Sequence, residues 1–267
     1  MSEIDLDAYL ARIAYAGPRA ASLATLTALG EAHMRTIPFE NLDILLGRPI
    51  SLELGDLQAK LVRGRRGGYC FEHNTLLAAV LESLGFAVTR LAARVRASAV
   101  PATTPIRPRT HMLLRVDLAE GPFIADVGFG GDGPPHPLPL REGETWIAGA
   151  GFRLRREGDV WVLMGRDAGA DWLDLYAFTL EPQYAVDYEM ANHYTSTFPR
   201  SPFVQSLTAQ RSWPGGRVIL RNRELTRRTG GSPESVAITD PEHLLRVLAQ
   251  DFGLAFPAGT RFAKPDF

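Results

Sequence analysis

Apolar residues recur at three- and four-residue spacing through the first 85 positions, and closer to every second position beyond them. Ile4, Leu6, Tyr9, Leu10 and Ile13 predict a first helix, broken by Gly17-Pro18. Residues 22–35 predict a second helix, with Leu23, Leu26 and Leu29 three apart. Residues 36–50 hold two prolines and read as a loop. Residues 55–63 predict a short helix with Asp56 near its start. After RGRRGGY, residues 70–84 set Leu76, Leu77, Val80, Leu81 and Leu84 on one helical face, and Gly85 is the stop. From Phe86 the runs at 88–97, 109–117, 122–128, 152–156 and 159–164 are strand-like, parted by Gly, Pro and Asp. Short strands at that density predict a small antiparallel barrel or sandwich. From about residue 200 the pattern is mixed. Residues 216–229 read as paired strands, and 240–252 as a last helix with Asp240 as N-cap, Pro241 in the first turn and Gly253 as stop.

Composition adds limits. A chain of 267 residues that is 45% hydrophobic is long enough for one or two domains with a sizeable core. Its net charge of −1 carries no basic excess of the kind that marks nucleic-acid binding. No apolar run approaches the length of a membrane span. The acidic first ten residues lack the basic and apolar regions of a signal peptide, so a cytoplasmic protein is expected. With 25 glycines and 19 prolines, shaped loops are expected too.

There is one cysteine, Cys70, placed where the Gly-rich loop RGRRGG meets a helix. A helix N-terminus and nearby arginines (Arg63, Arg65, Arg66) favour a thiolate, as an activated nucleophile requires. The other reading of a lone cysteine is a small buried hydrophobe. A nucleophile needs a base. Of six histidines, His33 and His243 fall in helical patterns and read as surface or packing residues, while His136 and His193 fall in loop-like stretches. His111 lies inside a strand-like run, as a core histidine or a fixed base. The following strand carries Asp126 in an apolar setting, where an unpaired carboxylate is costly. A hairpin whose paired positions sum to 239 or 241 would put His111 and Asp126 on one face; alternatively Asp126 caps the turn before Gly128. The glycines at 128, 130, 131 and 133 form either an anion-holding nest of backbone amides or a tight turn. Cys70-x2-His73 with His111 and Asp126 offers four metal-ligand types, but the spacing lacks a matching second pair, so no metal is expected.

RGGYCFEHN (66–74) resembles the active-site signature of the arylamine N-acetyltransferases. IPFENLDI (37–44), RTHMLLRV (109–116), DVGFGG (126–131) and NHYTSTFPRSPF (192–203) resemble further segments of that family in the same order. The resemblance implies an α+β fold with a cysteine-protease-like core in three parts: a helical bundle over 1–85 carrying the catalytic cysteine, an antiparallel β-barrel over 86–195 carrying the catalytic histidine and aspartate, and an α/β lid over 196–267. It implies a Cys70–His111–Asp126 triad that takes acetyl from acetyl-CoA onto Cys70 and passes it to an arylamine, hydrazine or hydroxylamine. Acetyl-CoA would be a co-substrate, with no tightly bound cofactor. By resemblance Phe39, Tyr69 and Phe129 are substrate-pocket residues, and Thr110, Gly128, Gly130, Gly131 and Phe203 lie near the CoA arm. Glu40, Arg66, Glu72 and Asn74 read as buried polar support, with an Arg66–carboxylate pair locking the Cys70 loop. The same triad in a hydrolase would pass the acyl group to water, and other relatives would use other donors or acceptors.

Overall fold

The computed structural model describes residues 3–98, 106–230 and 232–267. The helices expected early in the chain form at α1 (Leu6–Arg12), α2 (Leu23–Thr36) and α5 (Cys70–Ser83). Their starts are capped as the sequence dictates: Asp5 accepts from the Ala8 N–H at 3.0 Å and Ser22 from the Thr25 N–H at 3.2 Å. Gly85, at φ 81°, turns the chain after α5. The 36–50 stretch is more ordered than its prolines suggest. It contains a two-residue strand, β1 (Phe39–Glu40), and a single helical turn, α3 (Leu42–Leu45). The short helix expected at 55–63 divides into α4 (Leu54–Leu57) and a π-helical turn (Gln58–Arg63), which brings the Lys60 ammonium against buried carboxylates.

Eight strands form a nearly closed antiparallel barrel: β2 (Ala87–Ser98), β3 (His111–Leu118), β4 (Gly121–Ala125), β5 (Leu138–Pro139), β6 (Gly143–Ile147), β7 (Ala150–Glu157), β8 (Val160–Arg166) and β9 (Leu173–Phe178). Their order is β5-β4-β3-β2-β9-β8-β7-β6. Helix α5 packs on β2 and β3, so its apolar face meets one side of the barrel in a shared core with α1 and α2. A second sheet, in the order β1-β10-β11-β12-β13, joins β1 to β10 (Thr208–Trp213), β11 (Gly216–Arg221), β12 (Glu224–Arg228) and β13 (Glu234–Ala237). The β11–β12 hairpin is the strand pair expected at 216–229, turning at Asn222 with φ 51°. The last helix, α8 (Pro241–Phe252), has the expected ends: Asp240 accepts from His243 N–H at 2.7 Å and Gly253 is left-handed at φ 69°.

Several elements depart from the pattern: strands β5, β6, β9, β10 and β13 fall outside the predicted runs, and a helix replaces one predicted loop. The stretch around His193, read as a loop, is helix α6 (Ala185–Thr197), followed by the turn α7 (Pro202–Gln205). Its apolar periodicity is mixed: Val186 and Met190 face solvent, while Tyr188 is buried together with the polar Asn192 and Thr195. The missed strand β9 is covered on both faces, so it shows no alternation. Its Asp174 is buried against Arg96 at 2.9 Å.

Candidate active site

Cys70 opens α5, directly after the loop 64–69. Three buried carboxylates hold that loop. Arg66 donates to Glu40 Oε1 at 2.7 and 3.0 Å and to Asp43 Oδ1 at 3.1 Å. Lys60 Nζ lies 2.8 Å from both Asp43 Oδ2 and Glu72 Oε1, and Glu72 Oε2 accepts the Tyr69 N–H at 3.0 Å. Burial pushes the Glu72 carboxyl up, with Lys60 pulling against it. For Asp43 burial also pushes up, but Lys60 and Arg66 outweigh it and hold the group low. Gly67 is obligatory in this loop: a Cβ there would fall 1.9 Å from the Pro38 carbonyl oxygen. The expected Arg66–carboxylate lock is therefore present. Two of the loop arginines expected beside the thiol are engaged elsewhere: Arg66 is spent on Glu40 and Asp43, and Arg63 reaches outward to the Gly55 carbonyl at 3.4 Å.

The β3–β4 hairpin pairs Leu114 with Ala125, one of the two expected registers, which puts His111 and Asp126 on the same face. His111 Nε2 donates to Asp126 Oδ2 at 2.6 Å, with both groups buried. Asp126 Oδ1 accepts from Asn74 Nδ2 at 3.0 Å and from the Gly128 N–H at 2.9 Å. Burial opposes charge on His111, yet Asp126 and Cys70 outweigh it and raise the imidazole to about 10. Burial likewise pushes Asp126 up, but His111, Asn74 and the Gly128 N–H hold it below the usual carboxylate range. The pair is an imidazolium–aspartate ion pair. Cys70 Sγ lies 3.5 Å from the Thr110 carbonyl oxygen, and Cys70 and His111 open onto one cavity of about 720 Å³. A thiol beside a fixed imidazolium can act as a nucleophile, and the imidazole can carry its proton.

Of the other predicted residues, Phe39, Phe129, Thr110, Gly128 and Phe203 line this cavity with Cys70 and His111. The Phe129 ring meets His111 edge-on, with centroids 5.2 Å apart. Tyr69 stands apart from these residues: its ring is fully buried with its centroid 5.4 Å from that of Phe203, its hydroxyl donates to Asn192, and it is not part of the cavity lining. Gly131 faces a second cavity, of about 660 Å³, shared by Phe129. Gly130 has φ 98°, a conformation suited to glycine. Three amides of the glycine run are spent within the protein. The N–H of Gly128 goes to Asp126, that of Gly131 to Gln210 at 2.7 Å, and that of Gly133 to the Gly130 carbonyl at 3.1 Å. His73 spends both ring nitrogens away from Cys70, on His33 and on the carbonyls of Pro38 and Gly68.

Three residues around the site carried no local signal. Tyr176 on β9 packs against His111 with ring centroids 4.9 Å apart. Asn192 on α6 joins Tyr69 to the Ile50 carbonyl. His33 is fully buried, as the packing alternative of its reading has it, and bonds to His73. Among the described residues no helix is long and apolar enough to cross a membrane.

Comparison with known proteins places these residues in context. A family model described as N-acetyltransferase matches residues 22–260. The chain is 41% identical over 258 residues to an arylamine N-acetyltransferase of Mycolicibacterium smegmatis, covering 94% of this chain and 92% of that one. It is 42% identical over 252 residues to an arylamine N-acetyltransferase of Escherichia coli, covering 93% and 88%. Among solved structures, the arylamine N-acetyltransferase of Mycobacterium marinum in complex with CoA superposes with a TM-score of 0.87 at 39% identity, covering 93% of this chain and 92% of that one.

Proposed function

The chain belongs to the arylamine N-acetyltransferase family and is an acetyltransferase, and on that footing we propose that it moves acetyl from acetyl-CoA to the nitrogen of arylamines, arylhydrazines or N-hydroxyarylamines through an acetyl-Cys70 thioester. The observation that carries this reading is the 2.6 Å His111–Asp126 ion pair beside Cys70 at the cavity wall. In the first half-reaction the Cys70 thiolate attacks the thioester carbonyl, the sulfur–carbonyl bond to CoA breaks, and His111 gives its proton to the departing CoA thiolate. In the second, the amine attacks the Cys70 thioester and loses a proton to His111, and the Cys70 thiolate leaves. Asp126 keeps the imidazolium oriented through Nε2, leaving Nδ1 for the sulfur.

The cavity suits a neutral aromatic acceptor. Phe39, Phe129 and Phe203 supply apolar ring contacts, and anilines are largely unprotonated at neutral pH. Transfer proceeds as two chemical steps with CoA leaving before the amine reacts, which is a ping-pong cycle. The test is intact-mass measurement after incubation with acetyl-CoA alone. One acetyl group should appear, should be absent in Cys70→Ala, and should vanish with stoichiometric N-acetylaniline formation when aniline is added. An acetyl adduct that persists in the alanine variant, or one that is lost to water as fast as to aniline, overturns the reading.

A further inference from the structure

A pair of buried histidines is bonded apart from the His111–Asp126 ion pair and takes no part in the chemistry above. His33 on α2 and His73 on α5 are both fully buried, with His33 Nε2 2.7 Å from His73 Nδ1. His73 Nε2 lies 3.0 Å from the Gly68 carbonyl oxygen and 3.2 Å from that of Pro38. Tyr9 Oη lies 2.8 Å from His33 Nδ1.

Elementary hydrogen-bond accounting fixes every proton in this chain. A carbonyl only accepts, so His73 Nε2 carries a hydrogen. In a neutral ring Nδ1 is then an acceptor, and the donor facing it must be the Nε2–H of His33. His33 Nδ1 is in turn an acceptor and takes the Tyr9 hydroxyl proton. Burial holds both rings neutral: it pulls His73 down to about 4, and it holds His33 well below its ordinary value, helped by His73 and Arg12. The chain therefore runs one way, from Tyr9 through His33 and His73 to the Gly68 carbonyl. It ends on a carbonyl, so it delivers orientation and not a proton.

The carbonyl at its end belongs to the peptide that leads into Cys70. Gly68 O also accepts the Glu40 N–H at 2.7 Å, and the N–H of the same peptide, on Tyr69, goes to Glu72 at 3.0 Å. His73 comes from the helix that Cys70 opens, three residues further on, so the bond folds the loop back onto that helix's first turn. A half-turn of the His73 ring would exchange Nδ1 for a carbon and break the contact with His33. The His33 donor therefore holds the ring in the orientation that reaches Gly68.

We propose that His33 and His73 are positioning residues for Cys70: their hydrogen-bond chain fixes the 68–69 peptide and thereby the placement of the sulfur against His111. The proposal rests on Cys70 being the acyl acceptor. A side chain that only filled space would be replaceable by any apolar group of similar size. A sulfur displaced by about an ångström loses on the order of a hundredfold in rate when attack geometry is strict.

The experiment compares single-turnover acetylation of Cys70 by acetyl-CoA, across pH, with thermal stability. The variants are His73→Leu, His73→Gln and His33→Leu. Leucine removes the donor to Gly68, whereas glutamine keeps an N–H close to the Nε2 position. We expect His73→Leu to slow acetylation by about tenfold or more at unchanged apparent affinity for acetyl-CoA, His33→Leu to slow it less, and His73→Gln to recover most of the rate. A folded His73→Leu protein that is acetylated at the wild-type rate overturns the proposal, as does a His73→Gln protein no faster than His73→Leu. If His73→Leu does not fold, His33→Leu carries the kinetic test. Nitrogen NMR of the wild-type rings stands apart from any variant: both should be neutral Nε2–H tautomers at pH 7, and an Nδ1–H tautomer at His73 overturns the proposal. Failure of Cys70 itself to acetylate in the wild type would refute the nucleophile assignment instead, so the two failures are distinct.

Discussion

Asn74, one turn beyond Cys70 on the same helix, is bonded directly to Asp126. Its Nδ2 donates to Asp126 Oδ1 at 3.0 Å and to the Met112 carbonyl at 2.7 Å, and its Oδ1 accepts the Val127 N–H at 3.2 Å. The helix that carries the thiol and the hairpin that carries the ion pair are thus held in one register by a single amide. Asn74→Ala leaves a buried carbonyl and an N–H without partners. It should cost about 1–3 kcal/mol in urea unfolding and slow Cys70 acetylation as well. A loss of stability with no change in acetylation rate would separate the two roles.

Asp126→Asn removes the charge that raises His111. Acetylation of Cys70 should slow, by less than the roughly 10⁴-fold seen when a serine-protease triad loses this charge, because a thiolate is the stronger nucleophile. Asp117→Asn is the control: that carboxylate pairs with Arg115 at the surface and should leave the rate unchanged.

The same pair dictates how stability varies with pH. His111 is raised from 6.5 to about 10 in the folded protein, so between those values the native state binds more protons than the unfolded chain. The contribution of His111 is complete below pH 6.5 and is lost as pH rises through about 10. Wild-type stability should therefore fall from pH 7 toward 10, and Asp126→Asn should flatten that fall. Urea midpoints for both proteins across this range give the answer, and parallel slopes would contradict it.

Two glycines should respond in opposite ways to alanine. A Cβ on Gly128 would meet Asn74 Nδ2 at 2.7 Å, Cys70 Cα at 2.8 Å and the Cys70 carbonyl oxygen at 3.0 Å. Two of these atoms are backbone, so Gly128→Ala should displace the helix start and abolish or severely slow acetylation. Gly30 lies inside α2, where a Cβ would only touch Val127 Cγ1 at 3.8 Å. Gly30→Ala should raise stability by about 0.5–1 kcal/mol with activity retained. Thermal melts and aniline turnover check both.

Arg66→Lys keeps the charge but cannot span Glu40 and Asp43 together, since an ammonium lacks the planar fork. It should destabilise by about 2 kcal/mol and loosen the Cys70 loop. Faster tryptic cleavage around residues 60–66 would report it.

The features legible in the sequence were those set by local spacing. A Gly-rich loop running into an apolar-periodic segment marked Cys70 as a helix start, and counting across one hairpin turn gave the register that joins His111 to Asp126. The cap at Asp240 and the lock at Arg66 follow from residue type in the same way. What escaped depends on packing between distant segments. His33 and His73 are 40 residues apart and meet only because α2 lies against α5. Tyr69 is an aromatic next to the cysteine, and nothing local shows that Asn192, 123 residues later, draws it into the interior. Helix α6 hid because Val186 and Met190 are exposed while the polar Asn192 and Thr195 are buried beside Tyr188, and β9 because Asp174 interrupts a strand that is buried on both sides.

Strand β1 gives the molecule a timetable. Asn41, at its end, accepts the Thr208 N–H from 167 residues away and donates to the carbonyls of Phe203 and Ser206. On a ribosome adding about 5–20 residues per second, Cys70, His111 and Asp126 are all synthesised several seconds before β10 exists to pair with β1. Throughout that interval the Cys70 loop lacks the sheet that braces it. A growing chain can therefore carry Cys70, His111 and Asp126 and still lack the strand that braces the Cys70 loop, and any stall before residue 208 would leave that loop unbraced with its thiol already made.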